Sequence, residues 1–186
     1  MIKFKNIPNK CHEIFENGKK RLIWESRSVA VNCVVILLDK RKNLFVLASK
    51  RGPKAADFQG KLNIVAGYLD WNESGTEAIY RETWEECGLN LPALSKSILS
   101  NVINNNILNP WKIKTEPIEN KQNISLIYGI VISYNSDELP ILSLKYNEIE
   151  GEVEKAWWMP IFDIDNYEWA FSHNHVIKDY LNLINK

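Results

Sequence analysis

The sequence predicts one α+β domain built on a mixed β-sheet, and three observations carry that expectation. β-Branched and apolar runs recur along most of the chain, most densely at 29–38 and 124–134. Two other segments, 74–87 and 176–184, have helical rather than strand-like composition. No internal repeat or linker divides the 186 residues. Strands and helices interspersed along a chain of this length suit a layered domain with a core of ordinary size.

Taken in order, the elements begin with a hairpin. Residues 12–16 and 19–24 flank Asn17-Gly18, a pair that tolerates the positive φ angles of a type I′ turn. A second antiparallel pair follows, Val29–Leu38 and Leu44–Ser49, joined by the charged turn Asp39–Asn43. Residues 61–69 form another candidate strand. The stretch 74–87 is poor in β-branched residues, contains Glu, Ala, Arg and Trp, and stops at Gly88, so it predicts a helix with a glycine C-terminal stop. Strands are expected at 97–103, 124–134 and 153–159. In the closing segment Val176, Ile177, Tyr180, Leu181 and Ile184 fall on one helical face, which predicts an amphipathic helix packed on the sheet. Residues 104–123 are Asn-rich, carry Pro110 and Pro117 and have little periodicity; they predict a long loop, either a functional lid or a mobile insertion.

Composition excludes several classes of function. Apolar residues make up 45% and charged residues 25%, a globular rather than disordered profile. No stretch approaches the about 18 uninterrupted apolar residues of a membrane span. Residues 1–20 hold scattered lysines and no apolar signal core, so a cytoplasmic location is expected. Cys11, Cys33 and Cys87 are odd in number and widely spaced, against both a disulfide framework and a zinc site. Net charge is zero, against a specific nucleic-acid binder. The charge is uneven, however: residues 1–61 hold 14 Lys/Arg against 5 Asp/Glu, and the remainder 9 against 18. This is either ordinary solvated surface or a basic flank that meets phosphates beside an acidic centre that holds metal.

The acidic centre lies on the first predicted helix. Residues advance about 100° each, so Glu82, Glu85 and Glu86 share one face. Carboxylates this close repel, whereas a solvated helix more often intersperses lysines. The segment is either a merely acidic surface helix or a seat for a hard divalent cation. Oxygen-only ligation suits Mg²⁺ or Mn²⁺, which commonly bind substrate phosphates as well. Arg81 offsets part of the repulsion and can fix a carboxylate in a bidentate contact.

The spacing decides further. Gly67, five residues, Glu73, seven residues, Arg81-Glu82, two residues, Glu85-Glu86, one residue, Gly88 and Leu89 reproduces every fixed position of the Nudix box. Thr83 stands where the family usually has an aliphatic residue, and Val65-Ala66-Gly67 where many members have Pro-Gly-Gly. The resemblance extends over about residues 28–184. Residues 29–38 and 44–51 resemble the first core strand pair, and Lys50-Arg51 its basic end. Residues 152–160 and Ala170-Phe171-Ser172-His173 resemble the segments before the last helices. The chain is therefore divided into a hairpin extension, 1–27, and a Nudix domain, 28–186.

This resemblance implies an α/β/α sandwich that hydrolyses a pyrophosphate bond in a nucleoside diphosphate derivative: ADP-ribose, a dinucleotide, a nucleotide sugar or a nucleoside triphosphate. By the same carry-over, Glu85 and Glu86 are principal ligands of Mg²⁺ or Mn²⁺, Glu82 is a further ligand or the base, and the Gly67 carbonyl completes the shell. Glu73 pairs with Arg81 and, like Gly88, has a structural role. In some members a downstream carboxylate acts as base; Glu148, Glu150, Glu152 and Glu154 are candidates, with Glu152 best placed before its strand. Lys50, Arg51 and Lys54 are candidates for phosphate contacts. Trp71, Trp111, Trp157, Trp158, Trp169 and Phe171 are candidates for stacking a base, although most must be core. A homodimer is compatible with the family. The alternative is a non-catalytic Nudix-fold nucleotide-binding or regulatory module, which would usually have lost box carboxylates.

Overall fold

The structure is a computed structural model that describes residues 9–117, 122–147 and 149–185. Its centre is strand β3 (Val29–Leu38), whose successive side chains face opposite ways. Val31, Cys33, Val35 and Leu37 pack towards helix α1 (Gly75–Cys87), meeting Ala78, Ile79 and Cys87. Val34 and Ile36 pack towards helix α3 (His173–Ile184), meeting Val176, Ile177 and Tyr180. One sheet covered by helices on both faces is the expected sandwich. A strand buried on both sides also explains why this run is apolar throughout rather than alternating.

The main sheet has the order β10 (Val153–Pro160), β4 (Leu44–Arg51), β3, β9 (Ile124–Tyr134), β7 (Ser100–Asn106). Strand β3 is antiparallel to β4 (Leu44–Arg51) and parallel to β9 (Ile124–Tyr134), so the sheet is mixed. Strands β3 and β4 pair only at Ile36–Leu38 with Leu44–Val46, next to their turn. Beyond that they separate, and residues 62–68 fill the gap. Strand β5 (Leu62–Asn63) pairs with the far end of β4, and β6 (Val65–Tyr68) with the near end of β3. This wedge delivers the chain to the start of α1.

The Asn17-Gly18 hairpin is present as β1 (Lys10–Glu16) and β2 (Lys19–Glu25), with φ of 53° and 74° at the turn. It forms its own two-stranded sheet. Three expectations are corrected. The strand at 61–69 is broken at Ile64, whose N–H is donated out of the sheet to His173 Nδ1, 109 residues away. The strand expected at 97–103 is β7, shifted to Ser100–Asn106. The supposed loop 104–123 instead carries the end of β7 and a further strand, β8 (Lys112–Lys114), both paired with β9. Asparagine is a poor strand former, but a ready partner strand overrides local preference. Helix α2 (Leu91–Ser95) was not expected, and α3 starts at His173 rather than Val176. Strand β10 (Val153–Pro160) pairs with β4 at the sheet edge. No helix among the described residues is long and apolar enough to cross a membrane.

Candidate active site

Helix α1 is held firmly at both ends. At its start Ser74 and Glu77 cap each other: the Glu77 N–H is donated to Ser74 Oγ, and the Ser74 N–H to the Glu77 carboxylate at 2.7 Å. At its end Gly88 adopts φ 63°, and its N–H is donated to the Trp84 carbonyl at 2.8 Å. A side chain at Gly88 would also strike the backbone of Ser143, so the glycine lets the 143–153 segment close against the helix.

Between these caps the acidic face is organised by Arg81. Its Nε and Nη2 donate to the two Glu73 oxygens at 3.1 and 2.8 Å, a bidentate pair across the loop before the helix. Nη1 donates to Glu82 Oε1 at 2.8 Å and to Glu85 Oε2 at 3.0 Å. Nη2 also reaches the Tyr68 carbonyl at 3.0 Å, with Asp70 at 3.6 Å. One guanidinium therefore ties loop and helix together. The Arg81 contact holds the Glu73 carboxyl below the usual carboxylate range. The same contacts, Glu73 first, push the Arg81 guanidinium further up.

The remaining carboxyls behave differently. Burial pushes Glu82 up to about 7, against the pull of Arg81, with Glu85 and Glu152 adding to the rise. Glu86 keeps some exposed surface, yet enough protein surrounds its carboxyl that desolvation raises it well above the ordinary value. Glu82 and Glu152 push it the same way, while Arg51 and a 3.4 Å contact from the Ala66 N–H oppose them. Two carboxyls that burial makes reluctant to ionise thus face further negative charge in one place.

These groups surround a cleft of about 240 Å³, lined on one side by Gly67, Arg81, Glu82, Glu85 and Glu86 and on the other by Glu152. Gly67 comes so near the Glu82 carboxylate that a Cβ there would collide with it. Among the sequence candidates, the cleft thus unites Gly67, Arg81, Glu82, Glu85, Glu86 and Glu152, with Glu73 behind Arg81. Lys50 is not brought there. It pairs with Glu154 at 2.7 Å and lines a separate groove with Trp157 and Tyr167. Arg51 does not line the cleft either; it donates to Asp57, near enough for its charge to act on both Glu86 and His173. Glu148 lies outside the described residues. Trp158 and Trp169 are core, their indole N–H groups donated to the Pro140 and Ile164 carbonyls, whereas Trp71 is 75% exposed.

The cleft also contains residues that the sequence did not single out: Tyr68, Asp70, Asn147 and Ile149. Tyr68 and Asp70 occupy variable places between Gly67 and Glu73, where spacing carries no signal. Asn147 and Ile149 come from irregular chain that only the fold brings across.

The donor set is oxygen-only, the kind that suits Mg²⁺ or Mn²⁺. Among the described residues no three His, Cys, Asp or Glu groups already converge on one point, and Arg81 donates to both Glu82 and Glu85. The half-buried Glu82 and Glu86, with Glu85 and Gly67 along the same cleft, nevertheless offer the oxygen donors that fit a divalent cation.

Comparison with known proteins agrees with this geometry. The model of the NUDIX domain matches residues 26–180. No curated protein matches the chain. Among solved structures, the NUDIX domain of Shewanella oneidensis NrtR complexed with ADP-ribose is 14% identical with a TM-score of 0.58, covering 86% of this chain and 90% of that one. A bifunctional NMN adenylyltransferase/ADP-ribose pyrophosphatase from Francisella tularensis, complexed with AMP and a Mn ion, is 20% identical with a TM-score of 0.57; the match covers 86% of this chain and 42% of that one. An Ap4A hydrolase from C. elegans, in a binary complex, is 14% identical with a TM-score of 0.54, covering 85% and 98%. At these identities the likeness is one of fold.

Proposed function

The chain belongs to the NUDIX family, and on that premise we propose that it hydrolyses a pyrophosphate bond in a nucleoside diphosphate derivative, dependent on Mg²⁺ or Mn²⁺. The observation that carries this reading is the Arg81 hub. It joins Glu73, Glu82 and Glu85 into one unit beside Glu86, opposite Glu152, in an open polar cleft. ADP-ribose and AMP, bound by two of the similar structures, support a nucleotide-type substrate.

In this mechanism Glu82, Glu85, Glu86 and the Gly67 carbonyl would hold the metal, which would supply positive charge for the pyrophosphate oxygens and for the attacking water. Arg81 keeps the carboxylates in register through its bonds to both loop and helix. Glu152 faces the box carboxylates across the cleft and accepts a proton from the attacking water at its carboxylate. The half-buried Glu82 and Glu86 keep the reacting centre in a setting where charges act strongly. Arg51, outside the cleft lining, contributes positive charge that acts on Glu86.

Incubation with Mg²⁺ or Mn²⁺ and a panel of ADP-ribose, dinucleotides, nucleotide sugars and nucleoside triphosphates tests this, with Glu85→Gln and Glu86→Gln beside the wild type. Metal-dependent cleavage of one class, lost in both variants, is the expected result. No turnover in any protein would favour the nucleotide-binding module instead.

A further inference from the structure

The end of β6 and the loop that follows it place large aromatics against solvent beside a strongly polar cleft. Tyr68 is 52% exposed and lines the cleft, and Trp71 is 75% exposed, one residue past the lining Asp70. Neither ring is needed to bury the core. Their loop is nevertheless well fixed, since Arg81 holds the Tyr68 carbonyl, Asp70 and Glu73, and the Asp70 N–H is donated to Glu73 at 2.8 Å. Above Trp71 lies Arg21 of the β1–β2 hairpin, its guanidinium 4.9 Å from the ring centroid and its Nη1 donating to the exposed Glu16 carboxylate at 3.0 Å. Arg21 sits on the strand Lys19–Glu25, in the basic part of the chain. Leu22 and Trp24 on the same strand are exposed, so the hairpin too keeps apolar surface at the protein boundary.

We propose that Trp71 and Tyr68 form the stacking platform for the nucleobase of the substrate, with Arg21 covering it from the hairpin. This rests on the pyrophosphohydrolase reading for the position of the phosphates. A pyrophosphate held at the cleft leaves its nucleoside at the rim, where a flat apolar ring needs a flat apolar partner. Stacking on an aromatic face is strong and tolerant of base identity. A guanidinium already seated over an indole is a planar cation that can close on the other side of a base or turn to a phosphate. The platform gives the hairpin a role in binding: Arg21 is the point at which it reaches the loop before α1.

The test uses AMP, GMP and ribose 5-phosphate, none of which has a pyrophosphate bond, titrated calorimetrically in Mg²⁺ against the full chain. The wild type is expected to bind both nucleotides more tightly than ribose 5-phosphate. Trp71→Ala should weaken the nucleotides about tenfold or more while leaving ribose 5-phosphate unchanged, and Trp71→Phe should restore most of the loss. Arg21→Ala should cause a smaller loss of the same kind. Equal binding of nucleotides and ribose 5-phosphate by the wild type, or unaltered nucleotide binding by Trp71→Ala, would overturn the platform. Failure of the hydrolase reading would appear separately, as absence of turnover on the substrate panel, whatever these titrations give.

Discussion

The rings of Trp84 and Tyr146 stack with centroids 4.0 Å apart and planes 28° apart, joining α1 to the irregular chain before β10. Beside them the Ser143 N–H is donated to the Cys87 carbonyl at 2.8 Å. The wall carrying Asn147, Ile149 and Glu152 is thus fastened to the helix that carries the opposing carboxylates. Trp84→Ala is expected to lower kcat with a smaller effect on KM, because it loosens the placement of Glu152 rather than the substrate contacts. An aromatic pair contributes about 1 kcal/mol beyond area burial, so with the lost burial added the Tm should also fall by at least about 2–4 °C. Trp84→Phe, which retains a ring, should recover most of both in steady-state kinetics and thermal melts.

Arg81→Lys preserves charge but not the fork that spans Glu73, Glu82 and Glu85. A lysine offers one compact ammonium in place of five fixed donors. Activity should fall about a hundredfold, the scale on which small misplacements cost rate, while circular dichroism shows an intact fold. An Arg81→Lys protein with near-normal kcat would remove the hub from the mechanism.

Two glycines separate stability from activity. At Gly75 a Cβ would collide with the Tyr128 hydroxyl, in a buried side chain. Gly75→Ala should therefore destabilise by about 1–3 kcal/mol through overpacking, despite the usual helical preference for alanine. Removing the hydroxyl with Tyr128→Phe should relieve much of that loss in a double-mutant cycle. At Gly67 the colliding atoms belong to the Glu82 carboxylate, which can move. Gly67→Ala should leave the denaturation midpoint nearly unchanged and sharply reduce turnover.

Stability should depend on pH through His173. Burial lowers its imidazole to about 3, with Lys114 and Arg51 adding to the effect. The ring is held neutral, accepting from the Ile64 N–H at Nδ1 and facing the Asn32 side-chain oxygen through Nε2 at 3.2 Å. As pH falls below about 6.5 the unfolded chain takes up a proton that the folded chain refuses. Stability is thus fully present above that value and is lost towards pH 3, at up to about 1.4 kcal/mol per pH unit from this group. Urea unfolding of wild type and His173→Gln between pH 7 and 5 should give the wild type the steeper decline.

What could be read in the sequence followed local chemistry. Asn17-Gly18 specified its turn, Ser74 and Gly88 bounded α1, and the carboxylate spacing marked one wall of the cleft. Helix α2 also carries a local signal: Asn90 caps it, accepting from the Ala93 N–H at 2.9 Å, and Pro92 stands in its first turn. Other features depend on distant partners. The break at Ile64 is made by His173, and β7 and β8 become strands because β9 offers hydrogen bonds to residues that scarcely favour extension. The far wall of the cleft belongs to this group as well, since no local pattern announces that Asn147 will face Glu86.

The parallel pairing of β3 with β9 bears on how the molecule comes into being. Residues 29–38 meet 124–133 directly, with no shorter route between them, so the central ladder closes a loop that contains the whole of β4, β6, α1 and α2. Contacts this remote in sequence are slow to form, because the entropy of the loop must be lost before the ladder repays it. The two walls of the cleft lie on opposite sides of that closure, one within the loop and one beyond it. The acidic helix can therefore form early, but the site has no shape until the last third of the chain has docked.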